Sequence, residues 1–341
     1  MRTRLSQLGA TMKLPHRRQF LHLAGGAAAL PAMPRMARAQ AYPSRQIRLV
    51  APFPPGGAYD LVARPWSEKM KSLLGTVAVE NIGGGGASIG SAAVARAQPD
   101  GYTLLTAGTL THINEALIKA KPLYDPVKDL DPISGIAVVV LGIVVHPSVP
   151  ARDLKELAAY ARTNPDKLQF AHNGLGTVNH LTYEMFRDQA NFPNLVQVPY
   201  RGAGPVLVDL IGGQVTLSVV GVTSQTLEMH RTGKIRMIAL TNPTRLAGAP
   251  DIPTVAEQGF PGVTNIGTIG IAAPAKTPKA IIEQIAQATR TALSEKAYQQ
   301  RLIESGYEVS TDTTPEKFRQ SLERDIAFWK PIVDKLGIKV D

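Results

Sequence analysis

Four glycine-rich loops are the part of this sequence best suited to binding chemistry. Each follows an apolar stretch typical of a strand and precedes a stretch with helical spacing; they are residues 54–60, 108–112, 173–177 and 200–205. In α/β proteins such loops lie at the carboxyl ends of strands, where ligands bind. A helix start there offers free N–H groups and partial positive charge, and glycine lets an anion reach the backbone. The pattern therefore predicts carboxylate binding.

Two charged residues in these loops have two interpretations each. Asp60 either caps the helix that it begins or faces a ligand. Arg201 is either a solvated loop charge or the counter-ion of a bound acid. The sequence leaves both choices open.

Three motifs suggest other chemistry. Ser88 lies in a G-x-S-x-G pattern, which serine hydrolases use as a nucleophile elbow, but four glycines precede it where a strand is required. His180 and Glu184 are four residues apart, and His112 and Glu115 are three apart, spacings that suit a metal site. No third ligand accompanies either pair, so helix-surface pairs or caps are the simpler explanation. We predict neither catalysis nor a metal.

The composition excludes several further classes. The chain has no cysteine, so it can form no disulfide, zinc–thiolate site, iron–sulfur cluster or thiol nucleophile. Neither G-x-G-x-x-G nor a Walker A motif occurs, so no nucleotide cofactor is predicted. We expect the protein to need no cofactor.

The elements that position the loops alternate between strand and helix patterns from Tyr42 onward, which predicts α/β architecture. Two apolar connecting segments, 133–145 and 263–273, bracket the middle of the chain. We therefore predict two lobes joined by two crossings, with residues 42–141 and 263–341 in lobe 1 and 142–262 in lobe 2. Such a hinge creates a central cleft that closes on a ligand.

The net charge of +10 is concentrated at the amino terminus. Residues 1–39 contain seven of the 37 basic residues and none of the 27 acidic ones. The remainder is nearly neutral, so nucleic-acid binding is not predicted.

Residues 1–39 are instead predicted to be a signal peptide. Arg17-Arg18 precedes a weakly apolar, Ala/Gly-rich stretch, which favours twin-arginine export, and Ala37-Arg38-Ala39 supplies a cleavage pattern. Cleavage after Ala41 is the alternative, and Met12 competes with Met1 as the start. The longest later apolar run, 133–145, is too short to span a membrane. We predict a periplasmic protein.

Short motifs along nearly the whole mature chain resemble the Bug, or TctC, family of solute-binding subunits of tripartite tricarboxylate transporters. The motifs that carry the resemblance include Pro55-Gly56-Gly57 with Asp60, Pro99-Asp100-Gly101-Tyr102, Tyr124-Asp125-Pro126, Pro199-Tyr200-Arg201-Gly202 and Asp209-Leu210-Ile211-Gly212-Gly213. The resemblance implies a type II periplasmic binding-protein fold (a Venus flytrap), no enzymatic activity, and an organic-acid ligand passed to membrane permease subunits. We take the protein to be a monomer.

The resemblance also implies ligand contacts through backbone amides. The positions that match the family motifs are Gly57, Ala58, Asp60, Gly108, Thr109, Gly174, Gly176, Thr177, His180, Tyr200, Arg201, Gly202 and Gly204. The sequence departs from the family pattern at 82–86, 219–224 and 265–269, and the last two are expected to border the cleft. The identity of the acid is therefore not transferred from any relative.

Three functions remain distinguishable by experiment. The first is a carboxylate-binding protein of a transporter, and the second is the same fold read by a periplasmic sensor kinase. The third is an exported serine hydrolase that uses Ser88, which requires an imidazole within hydrogen-bond reach of its hydroxyl.

Overall fold

The structure, a computed structural model, describes residues 42–200 and 202–340. Its strands are β1 (Ile47–Ala51), β2 (Val77–Asn81), β3 (Thr103–Gly108), β4 (Leu130–Val139), β5 (Leu141–Val145), β6 (Gln169–His172), β7 (Val196–Pro199), β8 (Leu217–Gly221), β9 (Arg236–Leu240), β10 (Gly267–Pro274) and β11 (Glu308–Val309). The predicted signal peptide and Arg201 lie outside the described residues.

Helices alternate with these strands through most of the chain. They are α1 (Ala58–Leu73), α2 (Ser88–Ala95), α3 (Thr109–Ile113), α4 (Leu154–Thr163), α5 (Val178–Gln189), α6 (Ala203–Ile211), α7 (Ser224–Arg231), α8 (Lys279–Ser294), α9 (Lys296–Glu304) and α10 (Pro315–Leu336). A π-helical turn, Asn114–Ile118, continues α3. Among the described residues no helix combines the length and apolar character that a membrane crossing needs.

The strands form two mixed sheets. The first has the order β11-β4-β10-β3-β1-β2, in which β1, β2 and β3 are parallel and β10 runs antiparallel to β3 and β4. The second has the order β7-β6-β8-β5-β9, in which β6 is parallel to β7 and β8. Parallel strands followed by helices place the glycine-rich loops at one edge of each sheet.

The chain passes between the sheets at the two predicted segments. The apolar run 133–145 is two strands, because β4 belongs to the first sheet and β5 to the second, with Val140 between them. The return passage runs from β9 to β10. This arrangement is a two-lobed α/β fold, as predicted. The residue boundaries given to the lobes stay a prediction.

Helix α10 packs against both lobes. Thr314 caps its start by accepting from the Lys317 amide, and Gly337 ends it with φ of 62°, a conformation that favours glycine. Near its start, Phe318 lies against Gly270 of β10. Near its end, Trp329 and Val333 are buried with the core of the second sheet. The last helix therefore ties the two sheets together.

Candidate functional site

The β1–α1 loop presents glycine backbone to solvent. Gly56 adopts φ of +80° with open space where a Cβ would stand, and Gly57 begins α1 with no side-chain cap. Gly57 and Ala58 are part-exposed. The amides of the first turn of α1 are thus without a side-chain acceptor, which is the arrangement that an anion requires.

Asp60 shapes this loop from beneath. It is 2% exposed, and its carboxylate accepts from the Gly56 amide, Arg64 Nε and Asn81 Nδ2, each at 2.9 Å. Burial alone would raise its pKa, but the hydrogen bonds and the Arg64 charge hold the pKa of Asp60 below its ordinary value. The carboxylate is charged and fully partnered inside the protein. Asp60 accepts from the loop amide of Gly56, outside the helix, and the contact of Asp60 with a ligand stays a prediction.

The β2–α2 connection is a second open glycine loop, which the sequence reasoning did not include among the site residues. Gly84, Gly85 and Gly86 all have positive φ, and α2 begins without a side-chain cap. A Cβ on Gly83 would lie 3.3 Å from the Pro54 ring, so this loop lies against the β1–α1 loop. The four consecutive glycines were the available signal.

The β3–α3 loop is closed by its own neighbours. Gly108 and Thr109 are buried, and a Cβ on Gly108 would lie 2.1 Å from the Thr268 carbonyl oxygen and 2.9 Å from the Tyr59 hydroxyl. Burial raises the pKa of the Tyr59 phenol, whose oxygen receives the amides of Leu110 and Thr111 at the start of α3. In this structure these amides therefore have a partner inside the protein.

Thr109 joins three segments through one hydroxyl. Its Oγ1 accepts from the Thr268 amide at 2.9 Å and donates to Asp325 Oδ2 of α10 at 2.5 Å. Burial raises the pKa of Asp325 to about 7; Thr109 and Arg324 lower it, and Asp312 raises it further. The contact of Gly108 or Thr109 with a ligand stays a prediction.

The β6–α5 loop is held by imidazoles. The Gly174 amide donates to His172 Nδ1 and the Gly176 amide to His180 Nδ1, each at 3.3 Å. Thr177 caps α5 by accepting from the His180 amide. These three loop residues and His180 lie together, as the sequence predicted, but their polar groups are satisfied within the lobe.

His180 is further linked to a buried polar chain. Its Nε2 lies 3.1 Å from Gln197 Oε1, and Gln197 Nε2 donates to Glu184 Oε1 at 2.9 Å. Burial, and then the neighbouring His172, lower the pKa of His180 to about 4. The imidazole is neutral at neutral pH, with Nδ1 accepting and Nε2 donating.

The β7–α6 loop is open like the first. Gly202 has φ of 110° and begins α6 without a side-chain cap, and a Cβ on Gly202 or Gly204 would meet no atom within 4 Å. Tyr200 donates its hydroxyl to Asp209 Oδ2 at 2.5 Å, and this bond raises the pKa of Tyr200 to about 12. Tyr200 therefore braces α6 against the loop.

The alternative chemistry finds no support in the geometry. The Ser88 hydroxyl donates to the Gly85 carbonyl oxygen at 2.8 Å, and within the described residues no imidazole shares a hydrogen bond with it. His180 lies 3.7 Å from Glu184, which is paired with Arg187 at 2.7 Å. No cluster of three His, Cys, Asp or Glu that could hold a metal occurs within residues 42–200 and 202–340.

One helical segment, residues 109–118 (α3 with its π-helical turn, called the spine segment below), lies beside two of the loops and the return crossing. Thr109 meets Thr268 at the return crossing, Asn114 Nδ2 donates to the Gly86 carbonyl oxygen at 2.8 Å, and Ile118 touches Gly176. A rise of about 1.5 Å per residue makes this spine segment about 14 Å long. The β2–α2 loop of the first lobe and the β6–α5 loop of the second therefore contact the same short segment.

Comparison with known families identifies the chain. Residues 62–338 match the profile of the tripartite tricarboxylate transporter family receptor, TctC. The chain belongs to this family. The family assignment made from the sequence motifs is confirmed.

Relatives of this TctC-family protein cover most of its length. Protein BugT of Bordetella pertussis is 32% identical over 305 residues, which are 89% of this chain and 92% of BugT. A protein of the tcbD–tcbE intergenic region of Pseudomonas sp. is 38% identical over 253 residues, 74% of each chain.

Solved structures of family relatives share the fold. The periplasmic binding protein BugD superposes with a TM-score of 0.80 at 34% identity, covering 88% of this chain and all of BugD. MatC from Rhodopseudomonas palustris with bound malate gives 0.79 at 29% identity, covering 86% of this chain and all of MatC. A second R. palustris protein, with adipate, superposes with a TM-score of 0.81 at 29% identity, covering 88% of this chain and all of that protein. The TctC-family protein therefore has a periplasmic binding-protein fold.

Proposed function

We propose that this TctC-family protein captures a small carboxylate between its two lobes and delivers it to the permease of a tripartite tricarboxylate transporter. The observation that carries the proposal is that helix starts without side-chain caps follow glycine-rich loops on both lobes: α1 after Gly57 and α2 after Gly86-Ala87 on the first, α6 after Gly202 on the second. Peptide N–H groups and helix dipoles at such starts favour a carboxylate.

The proposed contacts therefore combine some of the positions implied by the family motifs with one loop that those motifs do not include. Gly57, Ala58, Gly202 and Gly204 present open backbone, and the glycine run 83–86 joins them. Gly108, Thr109, Gly174, Gly176, Thr177 and His180 would then act mainly by shaping the walls, because their polar groups have partners within the protein. The adipate-bound and malate-bound relatives support an organic acid as the ligand class.

We further propose that the protein works in the periplasm after residues 1–39 are removed. The basic, twin-arginine leader and the relative named as a periplasmic binding protein support this location. Amino-terminal sequencing of the exported protein is expected to begin at Gln40 or Tyr42. A mature protein that still carries Arg17 would contradict the export proposal.

Thermal unfolding with and without organic acids tests the binding proposal. A ligand that binds only the folded state raises its stability by an amount set by concentration over Kd, about 2.7 kcal/mol at 100 times Kd. At neutral pH we expect at least one mono-, di- or tricarboxylate to raise the Tm, while its amide analogue leaves the Tm unchanged. A folded protein that no acid stabilises would overturn the proposal.

A further inference from the structure

Three large aliphatic side chains are exposed on segments that hold the proposed site. Ile89 in the first turn of α2 is 51% exposed, Leu175 in the β6–α5 loop is 49% exposed, and Ile266 before β10 is 38% exposed. Leaving each of them in water forfeits about 25 cal/mol for every Å² of apolar surface. An apolar occupant on them would recover that free energy.

The spine segment contacts each of the three chain segments that carry these side chains. Asn114 fixes the glycine run by donating to the Gly85 and Gly86 carbonyl oxygens at 3.2 and 2.8 Å, three residues before Ile89. Ile118, four residues later, touches Gly176, the residue after Leu175.

The third anchor is at the other end of the same segment. Thr109 accepts from the Thr268 amide, two residues after Ile266, and lies 3.6 Å from where a Gly267 Cβ would be. Thr109, Asn114 and Ile118 span only about 14 Å of helix, so the three segments that carry the exposed side chains are all anchored to this one short stretch.

The same three segments offer no charged side chain. Residues 83–90, 173–178 and 265–268 contain no Lys, Arg, Asp or Glu. Several of their polar side chains already have partners: Ser88 donates to Gly85, Thr177 to Asn173, and Asn265 Nδ2 to the Val263 carbonyl oxygen. The exposed side chains on these segments are Ile89, Leu175 and Ile266, all aliphatic.

We infer that Ile89, Leu175 and Ile266 form an apolar subsite that takes the hydrocarbon body of the bound acid. The ligand is then a carboxylate with an unsubstituted aliphatic or aromatic body, and hydroxylated acids of the same charge are rejected because their hydroxyls find no partners there. The inference rests on the proposed function, which supplies the carboxylate end of the site.

Titration calorimetry with matched acids tests the subsite. Hexanoate and gluconate are both six-carbon monocarboxylates, so they differ only in the hydroxyls of the body. We expect hexanoate or benzoate to bind the purified protein at least tenfold more tightly than gluconate or citrate.

Serine substitutions test whether these side chains contact the hydrocarbon body of the acid. In Ile89→Ser and Leu175→Ser the affinity for the apolar acid is expected to fall about fourfold for each methylene no longer buried. Val208→Ser is the matched control, because Val208 is 68% exposed on α6 and belongs to none of the three segments. All three side chains are solvent-exposed, so the variants are expected to fold, which circular dichroism checks.

The outcomes separate this inference from the proposed function. Preference for gluconate or citrate, or equal affinity of the Leu175→Ser, Ile89→Ser and Val208→Ser variants for the apolar acid, would overturn the apolar subsite and leave carboxylate capture standing. Failure of every acid to bind the folded wild-type protein would overturn both.

Discussion

Asp325 is a part-buried acid connected to the β3–α3 loop, where its carboxylate accepts a hydrogen bond from the Thr109 hydroxyl. Its pKa is raised from 3.8 to about 7. Between these values the folded state binds more protons than the unfolded state, so the contribution of Asp325 to the free energy of unfolding falls as pH rises. The side chain that joins α10 to the loop thus makes stability pH-dependent near neutrality.

Asp325→Asn is expected to remove this dependence. Asparagine keeps an oxygen to accept from Thr109 but cannot ionise, so the variant should gain stability relative to wild type as pH rises from 5 to 8. Urea unfolding at the two pH values measures the difference. Asp334→Asn, which removes an exposed charge from the same helix, is the control. A difference between Asp325→Asn and wild type that does not change with pH would contradict the prediction.

The contribution of His180 to the free energy of unfolding changes with pH in the opposite direction to that of Asp325. Its pKa lies at about 4, below the ordinary 6.5, so the unfolded state binds the proton first as pH falls. The neutral imidazole that accepts from the Gly176 amide therefore stabilises the fold above pH 6.5, and this contribution is lost progressively between pH 6.5 and 4.

His180→Gln is expected to lessen the loss of stability on the acid side. Glutamine provides both an acceptor for Gly176 and a donor for Gln197 but does not titrate. The free energy of unfolding of wild type should drop more than that of the variant between pH 7 and pH 5, as urea titrations would measure. His230→Gln, at a part-exposed position, serves as the control. Parallel pH profiles of wild type and His180→Gln would count against this role.

At the scale of elements, the start of α6 allows the clearest test of amide-based binding. Gly204 lies in its first turn with open space around it, where a glutamate is compatible with the helix dipole. In Gly204→Glu the new carboxylate should occupy the amides and repel a ligand carboxylate. We expect the Tm of the free protein to change by little and the acid-induced rise in Tm to disappear.

Val208→Glu is the matched control for this prediction. It adds the same charge one turn later on the same helix, at a position that is 68% exposed. Its acid-induced rise in Tm should stay close to that of wild type. If the acid-induced rise in Tm were lost equally in Gly204→Glu and Val208→Glu, the cause would be the added negative charge and not occupation of the amides at the helix start.

Helix ends with local signals could be predicted from the sequence. Asp153 directly precedes α4, and its carboxylate accepts from the Glu156 amide. Pro315 begins α10 and Gly337 follows its end, and each acts within one turn. Caps depend on neighbours in the chain, so sequence contains the information.

The open or closed state of each loop could not be predicted. Tyr59 closes the start of α3 from 50 residues away, and only folding brings the two together. The division of the apolar run into β4 and β5 at Val140 likewise depends on the sheet that each strand joins, because both strands are apolar. By contrast, the capping of α5 by the Thr177 hydroxyl follows from the position of Thr177 directly before that helix.

At the scale of the molecule, the two lobes are linked by more than two crossings. Helix α10 contributes Trp329 and Val333 to the core of the second sheet while its start packs on β10. The Val340 amide then donates to the Ile118 carbonyl oxygen at 3.0 Å, which fastens the end of the chain to the spine segment. Loss of either core removes partners from the other, so we expect the lobes to unfold together.

The two tryptophans of the chain allow this expectation to be tested, because each reports one core. Trp66 is buried in the first core and donates to Thr289 Oγ1 at 3.1 Å, and Trp329 is buried in the second. In Trp66→Phe the fluorescence follows the second core alone, and in Trp329→Phe it follows the first. In urea, the fluorescence midpoint of each variant should coincide with its own far-ultraviolet circular dichroism midpoint, which is the test of two-state unfolding. Fluorescence of one variant that changes well before its circular dichroism would show that the lobes unfold independently and that α10 does not couple them.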